Sequence, residues 1–134
     1  MKETISGTYK TTHYNEQEYS KVEDGPKLTL AEKESTFEGG IEGKGIHRNS
    51  IVYLSDGSAP FTGHVCITGR IGDREGSFVV EDYGVPNQNT NTFGGTWKVV
   101  DGSATGDLVG LKGEGGWKWE KGNKNVAYTL SYEL

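Results

Sequence analysis

Residues 127–134, AYTLSYEL, alternate without a break: Tyr128, Leu130, Tyr132 and Leu134 fall on one side, Thr129, Ser131 and Glu133 on the other. A period of two is the signature of a strand with two unlike faces, and no helix tolerates it. The same alternation recurs through the chain. ISGTYKTTHY sets Ile5, Gly7, Tyr9, Thr11 and His13 against Ser6, Thr8, Lys10 and Thr12. FTGHVCITGRI sets Phe61, Val65, Ile67 and Ile71 against Thr62, His64, Thr68 and Arg70. SFVVED groups Phe78, Val80 and Asp82, and GTWKVVD groups Trp97 and Val99 opposite Lys98. Apolar residues keep no helical spacing over three turns anywhere.

Between these runs stand turn signals: EDGP, EGG, SDGS, GDREG, PNQNTN, DGS and KGNKN. Their Gly, Asn and Asp residues supply the positive φ angles of tight hairpins. Strands at roughly ten-residue spacing, divided by such turns, predict an all-β sandwich or barrel. Glycines also fall within the strands, at Gly7, Gly43, Gly45, Gly63, Gly69 and Gly95. Interior strand glycine marks a bend or a close backbone approach, and the strong coiling of a small closed barrel needs both. The expectation is one antiparallel β-barrel domain over residues 1–134. Hydrophobic residues make up only 32%, but three Trp, seven Tyr and four Phe supply large areas to bury.

The densest glycine stretch, GSATGDLVGLKGEGGW (residues 102–117), offers no phosphate site. It lacks the Lys-Ser/Thr of a P-loop, and Lys118 stands where GxGxxG would need its last glycine. Thr105 to Leu111 reads instead as a single helical turn or a bulge in which Leu108 and Leu111 cap the apolar end of the barrel. TGDLVGLKGEGG is similar to the glycine-rich segment of allene oxide cyclases and, more loosely, of dirigent proteins. Over its full length the chain resembles an uncharacterised bacterial family with ISGTY-like first strands, a GSFVV-like hairpin arm, TWKVVDGSATGDLVGLKGEGG and a closing YTLSYEL. The resemblance implies a closed, eight-stranded, allene oxide cyclase-like barrel and no established activity. When THYNEQ is laid on the cyclase first strand, Asn15 and Glu16 agree, but His13 stands where the cyclases carry a carboxylate. The cyclase substrate class therefore does not carry over.

A net charge of −5 with scattered Lys and Arg argues against a nucleic-acid partner. No apolar stretch reaches membrane-spanning length, and the N-terminal residues lack an apolar segment, so no membrane partner is expected. The single Cys66 forms no internal disulfide, which agrees with a cytoplasmic location. The expected ligand-binding residues, on the inward faces, are Tyr9, Phe61, Val65, Phe78, Trp97 and Trp117. The same rings would serve an ordinary packed core. His13 and Asp82 share faces with apolar residues and are the acid–base candidates. His64 and Cys66 share a strand face, but two ligands complete no metal site; no metal or cofactor is expected. The acidic run EKESTFEGGIE reads as a solvated sheet edge. Three functions stay open: a barrel holding a small apolar or amphipathic molecule, an isomerase or cyclase acting on one, or a filled barrel working through its surface as a homo-oligomer.

Overall fold

The computed structural model describes residues 2–134. Eight strands follow one another round a closed antiparallel barrel in chain order. They are β1 (Glu3–Lys21), β2 (Lys27–Gly39), β3 (Ile41–Tyr53), β4 (Phe61–Ile71), β5 (Arg74–Gly84), β6 (Gly94–Val99), β7 (Lys112–Lys118) and β8 (Val126–Glu133). The one helical element among the described residues is a 3₁₀ turn, Gly106–Leu108, between β6 and β7. This is the barrel that the alternation, the turn spacing and the glycines within the strands together predict.

Closure removes the sheet edge that the acidic run was expected to occupy. β2 is paired on both sides, with Glu32, Glu34 and Glu38 exposed on its outer face and Lys33, Ser35 and Phe37 turned towards the lumen.

Tight curvature brings neighbouring backbones together, and glycines sit where this happens. Gly43 on β3 pairs with Gly69 on β4. A Cβ on Gly69 would stand 2.1 Å from the Glu42 carbonyl oxygen and 2.6 Å from the Gly43 Cα. No side chain fits against backbone at that distance.

The two ends of the barrel differ. At one end the 3₁₀ turn drops Leu108 and Leu111, each 1% exposed, onto Ile41, Ile67, Ile71, Phe78, Val80, Val99 and Leu130. Burying a leucine contributes roughly 1.5–3 kcal/mol, so the turn closes this end firmly, as expected from sequence. Above it lies a layer of rings, Tyr9, Phe37, His47, Trp97 and Tyr128, with neighbouring centroids 5.0–6.4 Å apart. Tyr128 also anchors the β2–β3 hairpin by donating to the Glu38 carbonyl (2.8 Å) and accepting from the Ile41 N–H (2.9 Å).

The other end is open along one side. β1 pairs with β8 only from Glu3 to Tyr9, but continues along β2 as far as Lys21. Beyond Tyr9 it therefore parts from β8, and the gap leads into the lumen.

Candidate functional site

The lumen above the ring layer is a cleft of about 540 Å³. Its floor holds Tyr9, Lys33, Asn49 and Asp82; Ala31, Ile51, Phe61, Trp117 and Val126 form the walls. Tyr14, Pro86, Phe93, Trp119 and Lys124 surround the mouth. A second hollow of about 460 Å³ shares Tyr14, Ile51, Phe61, Pro86 and Phe93 and extends the space towards the β3–β4 loop. Concave, largely aromatic walls around a few polar groups are the usual make-up of a small-molecule site. A groove of about 670 Å³ crosses the outer face of β5–β8, lined by Glu81, Tyr83, Lys98 and Glu114 among others. It is open to solvent, has charges of both signs and lacks the aromatic enclosure, so the lumen is the candidate site.

Strand register assembles the polar floor. Asn49 pairs with Gly63, Gly63 with Asp82, and Asp82 with Trp97, so all four lie in one row on the inward face. Gly63 contributes no side chain between Asn49 and Asp82; a Cβ there would lie 2.3 Å from Asn49 Oδ1. Asp82, 3% exposed, accepts a hydrogen bond from Trp117 Nε1 at 2.9 Å. Burial raises its pKa above the ordinary carboxylate value, against the lowering effects of the Trp117 hydrogen bond and the nearby Lys33 charge.

Lys33 enters from β2 one residue after Glu32. Its Nζ lies 5.4 Å from the centre of the Tyr9 ring. Among the described residues it forms no ion pair within 4.0 Å and no side-chain hydrogen bond. Burial lowers its pKa, and the Asp82 charge opposes that only in part. Burial and Asp82 together raise the Tyr9 phenol, which stays protonated.

His47 lies deeper, 1% exposed, with Nε2 2.7 Å from Ser35 Oγ. Burial, with the Lys33 charge adding to it, lowers its pKa to about 3, so the imidazole is neutral. The pair resembles a nucleophile and its base, but neither residue lines the cleft. Among the described residues, His47 Nδ1 and Asn49 Oδ1 have no hydrogen-bond partner, and Trp97 Nε1 lacks one of good geometry although it stands close enough to Asp82 to help lower that carboxyl. Such groups are costly to bury unless water or a ligand satisfies them.

Of the residues singled out from sequence, Tyr9, Phe61, Trp117 and Asp82 line the cleft, and Trp97 lies beside Asp82 in the ring layer. Val65 and Phe78 face inward as expected, but they belong to the filled part of the barrel below the cleft. His13 is not in the lumen. A β-bulge between Thr11 and His13 adds one residue to β1, and the side chains from there to a second irregularity between Glu18 and Ser20 change face. His13 pairs with the outward Glu34 and is exposed, so the structure does not bring it to Asp82.

The same shift turns Tyr14 and Glu16 inward. Burial alone would raise the Glu16 pKa. Hydroxyl donation by Tyr14, Tyr53 and Thr29, the last at 2.7 Å, outweighs burial and leaves the carboxyl below its ordinary value. His64 and Cys66 share the exposed outer face of β4.

Residues 5–132 match the sequence profile of the DUF3224 family, described as proteins of unknown function. The chain belongs to the DUF3224 family. A crystal structure of a DUF3224 protein from Shewanella oneidensis superposes with a TM-score of 0.80 at 22% identity, covering 100% of this chain and 98% of that one. A protein of unknown function from Clostridium acetobutylicum superposes with a TM-score of 0.61 at 13% identity, over 100% and 99% of the two chains. At these identities the likeness establishes the barrel and nothing about its chemistry. No curated protein matches the chain. No helix among the described residues is long and apolar enough to cross a membrane.

Proposed function

We propose that this DUF3224 barrel binds a small amphipathic molecule in the lumen, with the apolar part among Phe61, Trp117 and Ile51 and the polar end on the floor. One observation carries the reading: a cleft of about 540 Å³, walled by aromatic rings, ends on a polar floor where Asn49 Oδ1 has no protein partner and Lys33 has no ion pair among the described residues. A purely structural core would fill that volume, because interiors pack to crystal-like density. The exposed, unpaired Cys66 supports a cytoplasmic setting for the protein.

The test is fluorescence titration with 1-anilinonaphthalene-8-sulfonate, together with native mass spectrometry of protein purified from its own host. Ala31 lines the cleft and carries little side chain, so Ala31→Trp fills the site without touching the ring layer. Probe enhancement and any co-purifying small molecule should be lost in Ala31→Trp. Equal enhancement in both proteins would place the probe elsewhere and remove the lumen as the site.

A second reading, an isomerase or cyclase acting in the same cleft, draws support from Asp82. Its carboxyl is raised by burial and faces space that a substrate could occupy. With His13 outside, the acid–base role would fall to Asp82 together with Lys33. Substrate turnover abolished by Asp82→Asn, with probe affinity kept, would select this reading over simple binding.

A further inference from the structure

Lys33 is the group that neither reading fully uses. A lysine pointing into an aromatic-lined lumen is uncommon, since the ammonium is strongly hydrated and its stem normally carries it to water. Here the strand register prevents that. Lys33 lies on the inward face of β2 between Ala31 and Ser35, both buried, and it pairs with His47 on one side and Tyr14 on the other. Its Nζ stands near the Tyr9 ring in the cleft, with no carboxylate within ion-pair distance and no hydrogen-bond acceptor among the described residues. The titratable and charged groups around the floor are Asp82, Tyr9, His47 and, from the neighbouring β1, Tyr14, with Lys124 at the mouth.

We propose that Lys33 is a reactive amine that captures an aldehyde or ketone of an apolar molecule as an imine inside the cleft. The proposal rests on the lumen being a ligand site. An amine does this work only when it is free of its proton and free of a tight ion pair, and desolvation in an apolar pocket is how proteins arrange it. The structure provides the setting, and the lowered basicity of the half-buried lysine agrees with it.

The step balances without any oxidant or reductant. The Nζ lone pair adds to the carbonyl carbon, and the C=O π electrons move to oxygen, which takes a proton from the Asp82 carboxyl. The nitrogen then returns a proton to Asp82. Asp82 protonates the carbinolamine hydroxyl, the C–O bond breaks to release water, and the nitrogen lone pair forms the C=N bond. Each amine and carbonyl yields one imine and one water. Asp82 serves as general acid and then, as carboxylate, as counter-charge to the protonated imine. Aromatic walls limit the water that would reverse the reaction.

The experiment uses 3-phenylpropanal with sodium cyanoborohydride at neutral pH, followed by peptide mapping of the alkylated lysines. Its alcohol, 3-phenylpropanol, serves as a non-reactive probe read by tryptophan quenching. The expected result is alkylation at Lys33 about tenfold or more faster than at any exposed lysine, because the cleft holds the aldehyde beside Nζ and burial leaves more of this amine free of its proton. Excess alcohol should block it, and Asp82→Asn should slow it. Lys33→Met and Lys33→Arg, the latter keeping the positive charge, should lose the fast phase of alkylation and leave only the slow, even labelling of the exposed lysines. Alkylation spread evenly over the lysines, with the alcohol still quenching, would overturn the role of Lys33 and leave the binding site standing. Even alkylation with no quenching would overturn both.

Discussion

Trp117 reaches across β6 to donate its indole N–H to Asp82 at 2.9 Å, and the path lies over Gly95. A Cβ on Gly95 would stand 2.6 Å from the indole Nε1 and 3.0 Å from the Tyr83 carbonyl oxygen. Gly95→Ala should therefore push the ring off the carboxylate and leave a buried acceptor unsatisfied, at a cost of about 1–3 kcal/mol. Trp117→Phe removes the same hydrogen bond without the clash. Urea unfolding of the two single variants and the double variant checks the claim: the double loss should be smaller than the two single losses added, because both break one contact. Strict additivity would mean that Gly95 matters for some other reason.

The lowest layer of the lumen works independently of the cleft. Leu108 is 1% exposed and sits on the closed end, away from every residue that lines the cleft. Leu108→Ala should destabilise the fold by about 2–5 kcal/mol through lost contacts and the cavity left behind. Probe affinity, measured below the melting transition, should hardly change. A large loss of affinity at intact fold would show that the two ends are coupled.

Much of this plan is legible in the sequence, and where it fails a single local cause can be named. Alternation in β4, β5, β6 and β8 places Phe61, Val65, Phe78, Asp82, Trp97 and Tyr128 on the inward face, where they are found. Leu108 and Leu111 close the barrel as their spacing after the glycine-rich turn implies. The failure in β1 comes from one extra residue. The bulge after Thr11 inverts the faces, so extrapolating from Tyr9 puts His13 inside and Glu16 outside, the reverse of what is seen. TTHY is extended and polar whether or not a bulge interrupts it, and nothing in its residues marks the place. Lys33 is a different case, since the signal was present. Phe37 fixes the inward parity of β2, and counting back by two gives Ser35 and Lys33; the surrounding glutamates draw attention to the other face. Asn49 becomes visible only through register, because it meets Asp82 over a glycine on the strand between them.

The glycine pairing at the closed end makes a sharper demand than composition alone suggests. Gly69→Ala places a methyl group 2.1 Å from one backbone atom and 2.6 Å from another, both on β3, so the strands must part rather than a side chain rotate. The ordinary cost of an overpacked core substitution is about 1–3 kcal/mol, and this backbone clash should reach at least the top of that range. Gly72→Ala on the adjacent β4–β5 hairpin meets nothing within 4 Å, so any loss there comes only from its positive φ of 63°. Thermal unfolding of the two variants should therefore rank Gly69→Ala well below Gly72→Ala. The reverse order would remove close strand approach as the reason for Gly69.

The buried His47 sets how the fold responds to acid. In the folded chain, burial and then the Lys33 charge lower its pKa to about 3, against an ordinary value of 6.5. The unfolded chain therefore binds this proton at a higher pH than the folded chain does. Stability from this residue is complete above pH 6.5 and falls as the pH drops from there towards 3. At about 1.4 kcal/mol per pH unit, the loss between pH 6.5 and 5 is roughly 2 kcal/mol. His47→Gln keeps a hydrogen-bonding group for Ser35 Oγ but cannot take up the proton. It should be less stable than the parent at pH 7.5, since the ring packs on Tyr9 at 5.3 Å. Its stability should nevertheless change little between pH 7.5 and 5.5, where that of the parent declines. Urea midpoints across that interval decide the matter, and parallel slopes in the two proteins would move the acid sensitivity to other groups.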